Sequence, residues 1–246
     1  MIRRTVFICA LLVLFAVCAA AQKAKPWTEW SDKEAEKILN DSAWGQTQTE
    51  AQESSQPGST SAITSTTAAR ERNVRSADAA GTAESGERKE PMAVHYHVRL
   101  LSAKPIRAAF VRKIELGGAP TERLAQLKPW VDAGFADYIV VTITMDGTDQ
   151  KRQAAAGEEL MSGDVELLKA TTFLERKDGK KVALMAYRAP GPDQLGAKFV
   201  FPRTVEGKPF VDPGSGEIRF STELGKLKIS RRFKISEMTY DGKLEF

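Results

Sequence analysis

Thr171-Thr172-Phe173-Leu174-Glu175-Arg176-Lys177-Asp178-Gly179-Lys180-Lys181-Val182-Ala183-Leu184-Met185-Ala186-Tyr187 is the stretch on which the fold turns. Two β-rich runs, Thr171 to Arg176 and Lys181 to Tyr187, flank Asp178-Gly179, and Asp-Gly supplies the positive φ angles of the tight turn that joins paired strands. The same grammar recurs on both sides. Tyr138 to Met145 places Ile139, Val141, Ile143 and Met145 on one face and Thr142 and Thr144 on the other, before Asp146-Gly147. Lys198 to Pro202, Glu217 to Thr222 and Lys226 to Met238 add strands, punctuated by Glu206-Gly207, Asp212-Pro-Gly-Ser-Gly and Leu224-Gly225; Asp241-Gly242 leads into Leu244-Glu245-Phe246.

Upstream, Val94 to Leu100 alternates as a strand. Lys104-Pro105 opens a helix whose Ile106, Ala109, Phe110 and Ile114 share a face before Gly117-Gly118, and a second runs from Thr121 towards Lys128, where Pro129 is expected to end it. Short strands at near-regular spacing with two early helices predict a mainly β, α+β class: a β-sandwich-like domain over residues 91–246.

Within that domain, chemistry-bearing patterns are sparse. No glycine-rich turn leads from a strand into a helix to cradle phosphate, and no G-x-S-x-G elbow is present. The two histidines, His95 and His97, share a strand face, yet zinc needs a third ligand and none is adjacent in sequence. Asp146, Asp149, Asp178, Asp193 and Asp212 fall in expected turns, where aspartate is common for its own hydrogen bonding and could also gather around calcium. Lys226 to Lys234 alternates, with Lys226, Lys228, Arg232 and Lys234 on one face as a candidate anion-binding row and Leu227, Ile229 and Phe233 on the other. Lysines along an edge strand also guard against pairing with foreign sheets.

The amino-terminal third reads differently. Arg3 and Arg4, an apolar run from Val6 to Val17 and Ala19-Ala20-Ala21 form an export signal over residues 1–21. Cys9 and Cys18 depart with it, unless Cys18 is lipidated and becomes a membrane tether; otherwise the mature chain holds no thiol and must rely on its apolar core. The whole chain carries 36 basic and 32 acidic side chains; removing Arg3 and Arg4 leaves it near neutral, and residues 91–246 lack the dense basic stripe that nucleic acid requires.

Residues 46–90 contain no aromatic and only Ile63 and Val74 as larger aliphatics, a composition expected of a disordered linker. Ahead of it, residues 22–45 form a tryptophan-rich segment. Ser31 and Glu34 make a capping box, and Ala35, Ile38, Leu39 and Ser42 follow helical spacing. Such a short helix is marginal alone, so Trp27, Trp30, Ile38, Leu39 and Trp44 are expected to dock, either on the chain's own body or in a partner's groove.

Trp27-Thr-Glu-Trp30, Lys33-Glu-Ala-Glu-Lys-Ile-Leu-Asn-Asp-Ser42 and Trp44, with Leu101-Ser-Ala-Lys-Pro-Ile-Arg-Ala-Ala109 and Met238-Thr-Tyr-Asp-Gly-Lys-Leu-Glu-Phe246, resemble a group of exported bacterial proteins of unknown function. The resemblance covers both ends of the mature chain. It implies a secreted or periplasmic protein and carries no activity or catalytic residue. The leading expectation is therefore a non-enzymatic envelope-associated or secreted binding or structural module, needing no cofactor, whose tryptophan-bearing helix on a flexible tether makes a packing contact or a contact with an envelope protein or surface component. The alternative is a hydrolase or metal-dependent enzyme assembled from His95, His97 or the turn aspartates.

Overall fold

The computed structural model describes residues 25–51 and 92–246; the expected export signal with Cys9 and Cys18, and the linker from Gln52 onward, lie outside the described residues. In chain order the elements are helix α1 (Asp32–Asn40), strands β1 (Gly45–Ala51) and β2 (Ala93–Leu100), helices α2 (Lys104–Leu116) and α3 (Thr121–Ala133), strand β3 (Tyr138–Gly147) and helices α4 (Gln150–Ser162) and α5 (Val165–Thr171). Strands β4 (Phe173–Arg176), β5 (Lys181–Ala183), β6 (Ala186–Arg188), β7 (Ala197–Pro202), β8 (Thr204–Val205), β9 (Lys208–Pro209), β10 (Glu217–Leu224), β11 (Leu227–Lys234), β12 (Thr239–Tyr240) and β13 (Lys243–Leu244) follow.

The Asp178-Gly179 turn closes the β4–β5 hairpin, with Gly179 at φ 83°. Glu206-Gly207 and Asp241-Gly242 close β8–β9 and β12–β13, both residues of each pair at positive φ. The longer strands form two antiparallel sheets, a five-stranded one in the order β1-β2-β3-β7-β6 and a four-stranded one in the order β11-β10-β4-β5. Their inner faces meet where Phe199 and Phe201 of β7 stand edge-on to Phe220 of β10, centroids 5.3 and 6.1 Å apart. The chain changes sheets within two residues: Leu184 N–H bonds Thr172 O, and Met185 N–H bonds Val200 O in the other sheet.

The architecture is a mixed α+β fold with antiparallel sheets, and the expectation of only two helices in the strand-rich part is corrected. Helices α4 and α5 also form there, each started by an aspartate: Asp149 accepts from Arg152 N–H, and Asp164 accepts from the amides of Glu166 and Leu167. Their apolar stripes are thin, with Ala156, Leu160 and Leu168 the buried residues, so periodicity hardly marks them. Pro129 does not end α3. The final turn is held from outside, because Val131 is fully buried and its carbonyl accepts two bonds from the Arg107 guanidinium, at 3.0 and 3.2 Å. Strand β11 stops at Lys234, leaving Lys226 in the preceding turn and Ile235–Glu237 as a 3₁₀ turn.

Composition also misplaces the start of the linker. Residues 46–51 belong to β1, which pairs along its length with β2, Gly45 opposite Arg99 and Ala51 opposite Ala93. The last residue of β1 and the first of β2 are thus partners, Ala51 opposite Ala93, and Cα atoms of such antiparallel pairs stand about 5 Å apart. The intervening segment connects two strands of one sheet. Among the described residues no helix is long and apolar enough to cross a membrane.

Candidate functional site

The tryptophan segment is built into the body. Ser31 caps α1 as expected, its hydroxyl accepting from Glu34 N–H at 3.3 Å while the Glu34 carboxylate accepts from Ser31 N–H at 2.6 Å. Lys25, 2.8 Å from that carboxylate, and then the Ser31 amide hold the Glu34 pKa down at about 2. Helix α1 lies on α2: Lys113 reaches Asp32 and Glu36 at 2.9 and 2.8 Å, and Arg112 Nε donates to Trp30 O at 2.7 Å.

Trp30, Leu39 and Trp44 are buried, and Trp27 and Ile38 are half-buried against the same core. The Trp30 and Trp44 rings both stand edge-on to Tyr240 at 6.3 Å. Trp44 Nε1 donates to Glu245 O at 2.7 Å, and the Glu245 carboxylate accepts from Lys104 N–H at the start of α2, where a negative charge suits the helix dipole. Residues from the first and the last described segments therefore meet in one aromatic cluster. Gly45 follows Trp44 because the backbone is crowded there: a Cβ would stand 2.1 Å from Leu39 O.

Alternation along β1, β2 and β3 gathers Thr47, Thr49, His95, His97, Arg99, Thr142, Thr144 and Asp146 on one face of the five-stranded sheet. Helix α1 packs on β1 and β2, and Phe110 of α2 lies against Arg99, so Arg99 is buried despite its polarity; Thr142, opposite it on β3, is buried too. Among the described residues Arg99 has no carboxylate partner; it donates to Leu39 O at 3.0 Å, Asn40 Oδ1 at 2.6 Å and Thr144 Oγ1 at 2.6 Å, and lies over the Phe110 ring. Desolvation lowers its pKa to about 10.

His97 sits between Thr47 Oγ1 on Nδ1 and Asp146 Oδ2 on Nε2, both at 2.9 Å, and His95 Nδ1 meets Thr49 Oγ1 at 2.8 Å. The Thr47 hydroxyl also has Asn40 O at 3.0 Å. A hydroxyl has one proton to donate. Given to Asn40, it leaves Thr47 accepting from His97 and fastens the end of α1 to the sheet.

The remaining candidate residues are dispersed. Asp178 and Asp212 both face Arg176, at 3.0 and 3.5 Å, Asp193 pairs with Lys198 at 2.9 Å, and Asp149 caps α4. Among the described residues no three His, Cys, Asp or Glu side chains sit together as a metal site. On the outer face of the four-stranded sheet, Lys228, Arg232 and Lys234 each have an acid at hand, Glu223 at 3.3 Å, Glu217 at 3.8 Å and Glu237 at 3.0 Å. Lys226 is separated from them. It lines a cleft of ≈ 240 Å³ with Glu50, Tyr96, Arg152, Glu159 and Leu227.

Sequence reasoning missed this cleft because its walls come from β1, β2, α4 and β11; the one available signal was Glu50 continuing the polar alternation of Gln46 and Gln48. Comparison with protein families, curated proteins and solved structures finds no match to the chain.

Proposed function

We propose that this chain is an exported, non-enzymatic binding or structural module of the secreted or periplasmic space, with its paired sheets acting as a sandwich-like scaffold and α1 fastened to that scaffold. The observation that carries this reading is the junction of Trp44, Tyr240 and Glu245, which ties residues 201 positions apart by a 2.7 Å hydrogen bond. It supports a packing role for the tryptophan-bearing helix over capture of a partner on a tether. The polar groups with chemical potential are used alike as fasteners: Arg99 and Thr47 on α1, Arg107 on α3, Asp149 and Asp164 on helix starts.

The basic and apolar sequence pattern of residues 1–21, read as an export signal, supports an extracytoplasmic site of action. Mass spectrometry of native protein from the envelope and medium fractions tests it: a mature chain beginning near Gln22 agrees, whereas an intact Met1 in the cytoplasmic fraction refutes it.

One geometry favours the second reading, a hydrolase. Thr47, His97 and Asp146 form a hydroxyl–imidazole–carboxylate chain. Against it, the Thr47 hydroxyl has Asn40 O as a second partner. Turnover of an ester or amide panel that is lost in Thr47→Val and His97→Gln, with the fold retained, would establish the enzyme and overturn the non-enzymatic reading.

A further inference from the structure

The seam between the two sheets is closed by glutamines. Gln46 Nε2 donates to Arg232 O at 2.5 Å and Gln48 Nε2 to Lys228 O at 2.9 Å, while Gln48 Oε1 accepts from Ser230 N–H at 3.3 Å. These side chains stand in for a missing backbone ladder along the β11 edge. The next residue of the row on β1 is Glu50, and two residues before Lys228 is Lys226. There the seam opens into the ≈ 240 Å³ cleft, with α4 as its far wall.

Among the described residues, Glu50, Glu159 and Lys226 form no ion pair, and Arg152 reaches only Asp149, at 3.4 Å. Tyr96, 3% exposed, comes in from the inner face of β2. Burial first, and the Glu50 charge second, push its pKa up to about 12. Glu159 is pressed against the β10–β11 turn, where a Cβ on Gly225 would stand 2.1 Å from its carboxylate.

We propose that this cleft binds a small zwitterion, an α-amino acid or dipeptide, with its carboxylate at Lys226 and Arg152 and its ammonium between Glu50 and Glu159. Glu50 and Glu159 line the cleft together with Lys226 and with Arg152, whose guanidinium is shared with Asp149, so a simple anion or cation also meets charges of its own sign there. A ligand bearing both signs meets a partner for each end, with Lys226 the cation that has no ion-paired acid among the described residues. The volume lies below the roughly 300–1,000 Å³ of drug-sized pockets, which limits the ligand to about a dipeptide. The site is independent of where the protein resides.

Titration of the full chain with alanyl-alanine, followed by NMR shifts and calorimetry, tests the proposal. The expected result is saturable binding with shifts centred on Tyr96, Arg152 and Lys226. N-acetylation or C-amidation of the probe is expected to weaken binding by about tenfold or more, since each removes one charge-assisted contact. Lys226→Gln, at an exposed turn position, preserves the fold and is expected to lower affinity similarly. No saturable binding up to about 10 mM, equal binding of the blocked probes, or unchanged affinity in Lys226→Gln would each overturn it.

Discussion

Replacing Trp44 by alanine should destabilise the entire molecule. The ring is 7% exposed, meets Tyr240 edge-on at 6.3 Å and donates its indole N–H to Glu245 O at 2.7 Å. Truncating a buried aromatic costs about 3–5 kcal/mol. Within that, an aromatic pair contributes roughly 0.5–1.5 kcal/mol and a stranded carbonyl costs about 1–3 kcal/mol. With a urea dependence of about 2 kcal/mol per molar, the unfolding midpoint should fall by about 1.5–2.5 M. Trp44→Phe keeps most of the ring but not the donor, and should fall by about half as much. Far-UV circular dichroism is the appropriate probe, because the substitution itself alters tryptophan fluorescence. An unchanged midpoint in Trp44→Ala would refute the reasoning, since a helix on a tether could lose its tryptophan without affecting the body.

Three other perturbations test separate parts of the account. Arg107 is 2% exposed and donates to the carbonyls of Leu101, Ser102 and Val131; Arg107→Met should cost about 3 kcal/mol or more by stranding them, and Arg107→Lys should rescue little because the ammonium lacks the planar fork, as thermal unfolding will show. Gln48→Ala removes both bonds to the β11 edge and should cost about 1 kcal/mol, with faster hydrogen exchange at the Ser230 amide. The Glu34 carboxyl, lowered from 4.5 to about 2 by Lys25 and Ser31, supports α1 fully above its unfolded value; that support should fade as pH falls from about 4.5 through about 2. A carboxyl NMR titration with its midpoint at the ordinary value would contradict this, and Glu34→Gln should flatten the dependence.

What could be read in advance depended on whether the cause was local. The Asp178-Gly179 hairpin, the Ser31–Glu34 capping box and the Lys104-Pro105 helix start each follow from a few neighbouring residues. The continuation of α3 past Pro129 was not legible, because the bonds that hold Val131 come from Arg107 on another helix. Helix α4 escaped because only Ala156 and Leu160 mark its buried stripe. The start of β1 was hidden for a related reason: Gln46, Thr47 and Gln48 resemble linker composition, and their strand character comes from pairing with β2 and from bonds to β11.

The candidate site divides in the same way. The shared strand face of His95 and His97 follows from alternation, but Asp146 of β3 and Thr47 of β1 are brought to His97, and Asn40 of α1 to Thr47, by three separate elements. The expected row of four cations becomes three surface pairs and one outlier, because β10 sets Glu217 and Glu223 against β11 while the turn carries Lys226 away.

The central claim is that residues 25–51 are part of the same folded body as residues 92–246, held by β1–β2 pairing, by α1 on α2 and by the Trp44–Glu245 bond. Cutting the chain at a protease site inserted after Thr60, then measuring native mass and circular dichroism, tests this directly. The account predicts that the two fragments stay together as one folded species and separate only in denaturant. Release of the amino-terminal fragment from a body that remains folded would contradict it.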